Sequence, residues 1–151
     1  MRLRILILNG PNLNLLGERE PHIYGAATLA DVESACRQRA RALGAEMEFR
    51  QSNAESDLID WVQSARKTAD ALIINAGAYS HTSIALLDAL LALAIPVIEV
   101  HISNIFCREP FRHHSYVSRA ARGVICGLGT FGYELAIEAA VDALKPTVAA
   151  G

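Results

Sequence analysis

Apolar residues gather in short runs, and the stretches between them repeat with helical period. The run over residues 3–8 is rich in Ile and Leu and does not alternate, which predicts a strand covered on both faces. Thr28, with Asp31 three positions on, forms a variant of the capping box and opens a predicted helix over residues 28–43. Gly44 is its natural stop. Further strands are predicted over residues 46–51, 71–75, 96–101 and 123–127, and further helices over residues 55–67, 83–93 and 133–144. Strands alternating with helices predict a parallel sheet with helices on both faces. Five strands fit a flavodoxin-like sandwich with strand order 2-1-3-4-5, and residues 1–151 read as a single domain of that kind. The connection from the first strand to its helix, residues 9–27, is far longer than most, as active-site lids are. Ligands of open parallel sheets bind beyond the carboxyl ends of the strands, so residues 9–24, 75–81 and 101–112 are expected to converge at one edge.

Composition narrows the picture. Hydrophobic residues make up 52% of the chain and charged ones 20%, which argues against disorder. The formal net charge of -2 gives no basic footprint for nucleic acid. The first apolar run is too short to cross a membrane, and no small-residue cleavage site follows it. Cys36, Cys107 and Cys126 match no zinc spacing, and their odd number argues against a closed disulfide set, so reduced thiols in a cytoplasmic protein are expected.

Three loops carry candidate chemistry. The first, around Asn12, Arg19 and Tyr24, is rich in turn residues but also holds Leu13, Leu15 and Leu16, which predict a segment packed down at its start. The second runs from Asn75 to His81, with small residues that let a ligand approach the backbone and hydroxyls that cap the next helix. The third follows the strand that carries Glu99 and His101. Two positions apart, these residues share one face of a strand, and a carboxylate beside an imidazole fixes its tautomer and raises its proton affinity. That arrangement builds a general acid, and it also serves as a buried hydrogen-bonded pair without chemistry; the residues alone leave both open. Arg108, Arg112, His113 and His114 read either as a carboxylate clamp or as a basic face paired with Glu109. The glycine spacing at Gly127, Gly129 and Gly132 imitates a dinucleotide loop but opens the last helix, without the following βαβ unit and its acidic residue.

Together these loops resemble the type II 3-dehydroquinate dehydratases. The matching stretches are GPNLNLLGEREPHIYG, INAGAYSHTSIALLDAL and PVIEVHISNIFCREPFRHHSYVSRAARGVICGLGTFGYELA, in order and over nearly the whole chain. The resemblance implies a cofactor-free and metal-free hydro-lyase acting on 3-dehydroquinate, in the shikimate pathway or in quinate catabolism. It implies a homo-dodecamer of four trimers, with neither a nucleic-acid nor a membrane partner. Tyr24 matches the catalytic base and Arg19 the loop arginine beside it. Asn12 matches the residue that holds the enolate oxygen through a water. His101 matches the general acid and Glu99 its orienting partner. Asn75, His81, Ser103 and Arg112 match the substrate-binding set, with the Ile102 and Ser103 backbone receiving the carboxylate. Arg108 matches a second lid arginine, and Asp88 a residue reaching a neighbouring subunit's site. A free tyrosine, with a pKa of about 10, is a weak base, but nearby cations favour the phenolate and Arg19 and Arg108 supply two.

The chain departs from the family's pattern at Ala76, Leu87, Phe106, Cys107, Pro110 and Arg119. Leu87, where an arginine is common, is expected to make the surface of the 83–93 helix more apolar, and a neighbouring subunit is expected to cover that surface. Rival readings are a Schiff-base dehydratase, for which Lys67 and Lys145 lie far from any strand-end loop; a flavin-binding or receiver module; and a scaffold without turnover.

Overall fold

The apolar runs become five parallel strands in a computed structural model that describes residues 2–146. They are β1 (Leu3–Asn9), β2 (Ala45–Gln51), β3 (Ala71–Asn75), β4 (Val97–His101) and β5 (Gly123–Cys126). Their order is β2-β1-β3-β4-β5, the flavodoxin-like order expected from the sequence. The helices are α1 (Pro21–Tyr24), α2 (Leu29–Ala42), α3 (Glu55–Thr68), α4 (Ile84–Leu91) and α5 (Phe131–Ala143). Element ends differ from the sequence reading by a few residues at most, and the capping box at Thr28 and Asp31 forms reciprocally, at 3.1 and 3.0 Å.

The non-alternating pattern of β1 has the cause the sequence implied. Ile5 and Ile7 pack under α2 and α5, while Leu6 and Leu8 pack under α3 and α4. Each such side chain removed from water contributes about 1.5–3 kcal/mol. On β4, Val97 joins the α3–α4 side and Ile98 and Val100 the other. Glu99 and His101 share the parity of Val97, so a carboxylate and an imidazole occupy places where that strand would otherwise present apolar side chains.

Three expectations need correction. The connection after β1 is not simple loop: it contains a 3-10 turn (Leu13–Leu15) and the short helix α1. Leu13 and Leu16 are buried there as expected, but Leu15 is 39% exposed, because a single tight turn buries one side only. Leu87 does not add to the outer surface of α4. It is buried within its own subunit, and the exposed apolar residues of α4 are Ile84 and Leu91.

Candidate active site

The β1 and β3 strand ends lock together first. The Gly10 N–H donates to the Asn75 carbonyl at 2.8 Å. A Cβ on Gly10 would stand 2.3 Å from the Ala76 carbonyl oxygen, so only glycine lets the two loops approach this closely. Behind them lies a buried network. The Tyr133 hydroxyl donates to Asn9 Oδ1 at 2.7 Å and accepts from Asn75 Nδ2 at 2.9 Å. Burial pushes the Tyr133 phenol far above its ordinary value, more than the Asn75 hydrogen bond lowers it, so it stays a donor. Asn75 Oδ1 also accepts from the Gly77 N–H at 3.2 Å. Asn75 therefore lines the site with part of its amide already committed to the fold.

The three predicted loops meet around a cavity of about 200 Å³ whose walls include Asn12, Arg19, Tyr24, Asn75, His81, His101, Ile102, Ser103, Arg108 and Arg112. A larger cavity of about 790 Å³ lies beside it, sharing Tyr24, Ile102, Ser103 and Arg108 but lined by neither imidazole. The smaller one is lined by both imidazoles, His81 and His101.

On one wall, Arg108 Nη1 donates to the Tyr24 hydroxyl oxygen at 2.8 Å. Arg19 approaches the same residue differently: its guanidinium carbon lies 4.9 Å from the ring centroid. On another wall, His101 Nε2 meets Glu99 Oε2. That contact turns the other ring nitrogen, Nδ1, away from Glu99. Glu99 is completely buried. Burial pushes its carboxyl up, but the His101 hydrogen bond and charge, with hydrogen bonds from Ser115 and Ser118, outweigh it and hold the group below its ordinary value.

His81 stacks 6.2 Å from His101, centroid to centroid, and its Nδ1 faces the His114 carbonyl at 2.7 Å. Burial holds His81 below its ordinary value more strongly than that hydrogen bond raises it, with the His101 and Arg112 charges adding to the lowering. A neutral His81 donating through Nδ1 leaves Nε2 as an acceptor for a ligand hydroxyl. Arg112 pairs with Glu109 at 2.7 Å, the ion pair that the sequence offered as the alternative to a carboxylate clamp. Asn12 holds its place in the left-handed region, φ 68°, with its N–H donated to Asn53 Oδ1 at 3.0 Å.

Two expected site residues do not line the cavity: Glu99 is buried behind His101, and Asp88 lies elsewhere in this subunit. It is exposed on α4, beside a groove shared with α3. The basic patch also reads differently in three dimensions. His113 Nε2 donates to the Arg108 carbonyl at 2.9 Å, and His114 contributes its carbonyl rather than its ring. Ser115 and Ser118, unremarked in the sequence, both reach Glu99. The signal for them was Glu99 itself, since a carboxylate inside an apolar strand requires donors. Gly127 serves loop packing, since a Cβ there would stand 2.8 Å from Asn104 Cβ, while Gly129 faces open space and supplies a left-handed φ of 65°. Lys67 and Lys145 are exposed and far from these walls. Among the described residues, no three His, Cys, Asp or Glu side chains gather as a metal-ligand set.

Comparison with known proteins places this arrangement. The family described as Dehydroquinase class II matches residues 3–141. A 3-dehydroquinate dehydratase of Actinobacillus pleuropneumoniae is 56% identical over 142 residues, covering 94% of this chain and 92% of that protein. A catabolic 3-dehydroquinase of Emericella nidulans is 55% identical over 146 residues, covering 97% and 95%. The crystal structure of the type II dehydroquinase from Propionibacterium acnes superimposes with a TM-score of 0.89 at 46% identity, covering 94% of this chain and 99% of that one. With its whole sheet and all three loops inside the matched span, the chain belongs to the class II dehydroquinase family.

Proposed function

We propose that this chain is a 3-dehydroquinate dehydratase, which removes water from 3-dehydroquinate by anti elimination through an enolate and releases 3-dehydroshikimate. One observation carries the reading: a single cavity presents a tyrosine oxygen held by an arginine and an imidazole held by a buried carboxylate. A base and an acid of different strength are what an elimination requires.

Tyr24 is the base in this reading. Its oxygen takes the proton from the carbon beside the ketone, and Arg108, with Arg19 over the ring, favours the phenolate that does so. The electron pair of the broken C–H bond moves onto the ketone oxygen as an enolate, with Asn12 near it through a water. Collapse of the enolate forms the C=C bond and breaks the C–O bond of the leaving hydroxyl. His101 protonates that hydroxyl from Nδ1 and water departs. Glu99 orients the ring throughout. Ile102 and Ser103 receive the substrate carboxylate on their backbone, and Asn75, His81 and Arg112 hold its hydroxyls and carboxylate. No step calls on a metal or cofactor.

A homo-dodecamer of four trimers belongs to the same proposal, supported by the exposed apolar residues of α4 and by Asp88 lying outside its own subunit's cavity. The cytoplasm is the proposed location, supported by three cysteines without a disulfide partner. Among the described residues, no helix is long and apolar enough to cross a membrane. Biosynthetic and catabolic roles use the same dehydration.

The test is turnover, followed as the rise in ultraviolet absorbance of the conjugated enone product. Tyr24→Phe is expected to lower kcat at least about 10²-fold. Near-normal turnover in that variant removes the tyrosine from the role of base, and no turnover in the native protein removes the reading altogether.

A further inference from the structure

Glu99 is completely buried, yet it is surrounded by donors on three sides. Oε2 accepts from Ser115 Oγ at 2.6 Å and meets His101 Nε2, and Oε1 accepts from Ser118 Oγ at 2.5 Å. Its strand neighbours are apolar: Ile74 on β3 and Val124 on β5 stand opposite it in register. The charged groups near the pair lie on the cavity side, His81 beside the His101 ring and Arg112 on the same wall. Ser115 and Ser118 are the hydroxyls that meet the carboxylate from the far side.

The segment carrying these serines is itself fixed. The Tyr116 N–H donates to the Ser80 carbonyl at 2.8 Å, and Val117, between the two serines, is completely buried. The same segment offers the His114 carbonyl to His81. One short stretch thus sets both imidazoles of the site.

The chemistry of the pair explains why the hydroxyls matter. With one proton to share, a carboxylate and an imidazole have two arrangements. In one, the carboxylate is ionised and the ring is an imidazolium carrying protons on both nitrogens. In the other, the carboxyl is protonated and donates to Nε2 of a neutral ring, whose remaining proton sits on Nδ1. A neutral imidazole gives up that proton far less readily than an imidazolium does. Burial favours the neutral arrangement, and hydroxyl donors favour the charged one. A hydroxyl can also accept, but an ionised carboxylate takes only donors, so both serines point their protons at Glu99 in the charged arrangement.

We propose that Ser115 and Ser118 are positioning residues for the acid step: their hydroxyls keep Glu99 an aligned carboxylate, so that the shared proton stays on the His101 ring and Nδ1 faces the leaving hydroxyl as part of an imidazolium. This rests on the dehydratase reading for its consequence in turnover, but its consequence for the His101 ring does not.

Two measurements separate these. Kinetics of Ser115→Ala and Ser118→Ala are expected to show kcat lowered roughly tenfold or more in each, the scale of one hydrogen bond to a charged group, with KM little changed. The high-pH limb of the kcat profile, which reports the acid, moves about one pH unit toward neutrality, because a carboxylate short of a donor holds the shared proton on the ring less firmly. Ser118→Thr, which retains the hydroxyl, restores both. A loss of kcat with an unmoved pH profile, or full activity in both alanine variants, overturns the proposal.

The second measurement needs no turnover and compares the native protein with the two alanine variants. Solid-state NMR of native protein labelled with ¹⁵N at histidine, with His101 assigned by loss of its signals in His101→Asn, reads which nitrogen titrates. Nε2 is expected to stay protonated across the transition while Nδ1 gains and loses its proton. A His101 ring with unprotonated Nε2 in its acidic form overturns the proposal even if turnover is normal. The expected native titration, with the Nε2 proton shifted toward the carboxylate in Ser115→Ala and Ser118→Ala, sustains the proposal even in a protein without dehydratase activity and condemns the functional reading instead; a ring unchanged in both variants overturns the proposal.

Discussion

Arg108 and Tyr24 meet end to end: a guanidinium N–H points at the phenol oxygen at 2.8 Å, while the Arg108 side chain remains only 14% exposed. Arg19 reaches the same tyrosine through its ring face and is 33% exposed. A donor aimed at the reacting oxygen in a sheltered place acts on charge there more strongly than a cation over the ring in contact with solvent. The two arginines are therefore unequal. Arg108→Gln is expected to lower kcat at least about 10²-fold and Arg19→Gln about tenfold. The limb of the pH profile reporting the base should move to higher pH more in the Arg108 variant. Equal losses in the two variants would mean that the hydrogen bond at Tyr24 does not set its role.

Acid should weaken the fold in two stages. His81 is held below its ordinary value of 6.5, chiefly by burial. A histidine kept neutral by the fold contributes its full stability above the unfolded value, and that contribution falls away as the pH drops below about 6.5. Glu99 is held below its ordinary value of 4.5, its hydrogen bonds outweighing burial. Its contribution is present above 4.5 and is lost as the pH falls through the lower folded value. Both signs point the same way. Melting temperature measured against pH should fall as the pH drops below about 6.5 in the native protein, and by less in His81→Asn. The same fall in both proteins would show that His81 has no part in it.

His101 also differs from a strand-end residue free to be trimmed. Its side chain is 5% exposed and supplies one of the donors that Glu99 needs. Truncation to alanine leaves a buried carboxylate short of a partner, which costs about 1–3 kcal/mol or more. The sequence made the pair visible, because two ionisable residues at a spacing of two in an apolar run share one strand face. It did not show what lay over that face. Ser115 and Ser118 come from a turn whose position depends on Val117 and Tyr116 docking against the body, which no local pattern encodes. The fold was legible for the opposite reason: β1, β3 and β4 are apolar without alternation, and burial on both faces leaves that trace directly in the residue order. The amide network of Asn9, Asn75 and Tyr133 stayed hidden because its members lie 58 and 124 positions apart in sequence.

The segment from Gly17 to Gly25 should close as a unit. Both glycines have left-handed backbones, φ 89° and 82°, and Glu20 between them is at φ 39°. The helix α1 is a single turn started by Pro21, so the middle of the segment is stiff and its ends are hinges. Among the described residues, its side-chain hydrogen bond to the opposite wall runs from Arg108 to Tyr24. Cleavage by trypsin after Arg19 is expected to slow severalfold with a saturating anionic ligand. A rate unchanged by ligand defeats the closing lid. Gly25→Ala should stiffen the hinge at a cost of about 1–3 kcal/mol, since its Cβ meets open space but φ 82°, ψ 179° is a backbone conformation open almost only to glycine.

Asp88 sets the last expectation. It is exposed on α4 between Ile84 and Leu91, which are 55% and 53% exposed, so a charge stands in the middle of an apolar surface. A neighbouring subunit that covers Ile84 and Leu91 must also take Asp88 out of water, and an unpaired carboxylate there is expensive. A cation or hydrogen-bond donor at the edge of the neighbour's cavity resolves that cost and makes each site depend on the next subunit. Leu87 has no share in this surface, since it is buried beneath α4. Asp88→Ala should therefore lower activity and weaken assembly together. Ile84→Glu, which touches no site residue within its own subunit, should lower both by disrupting the contact, at least tenfold in association, or about 1.4 kcal/mol. Sedimentation with activity measured on the same fractions decides the matter: a fully active monomer of 16.3 kDa would show that neither the apolar face of α4 nor Asp88 serves a neighbouring site.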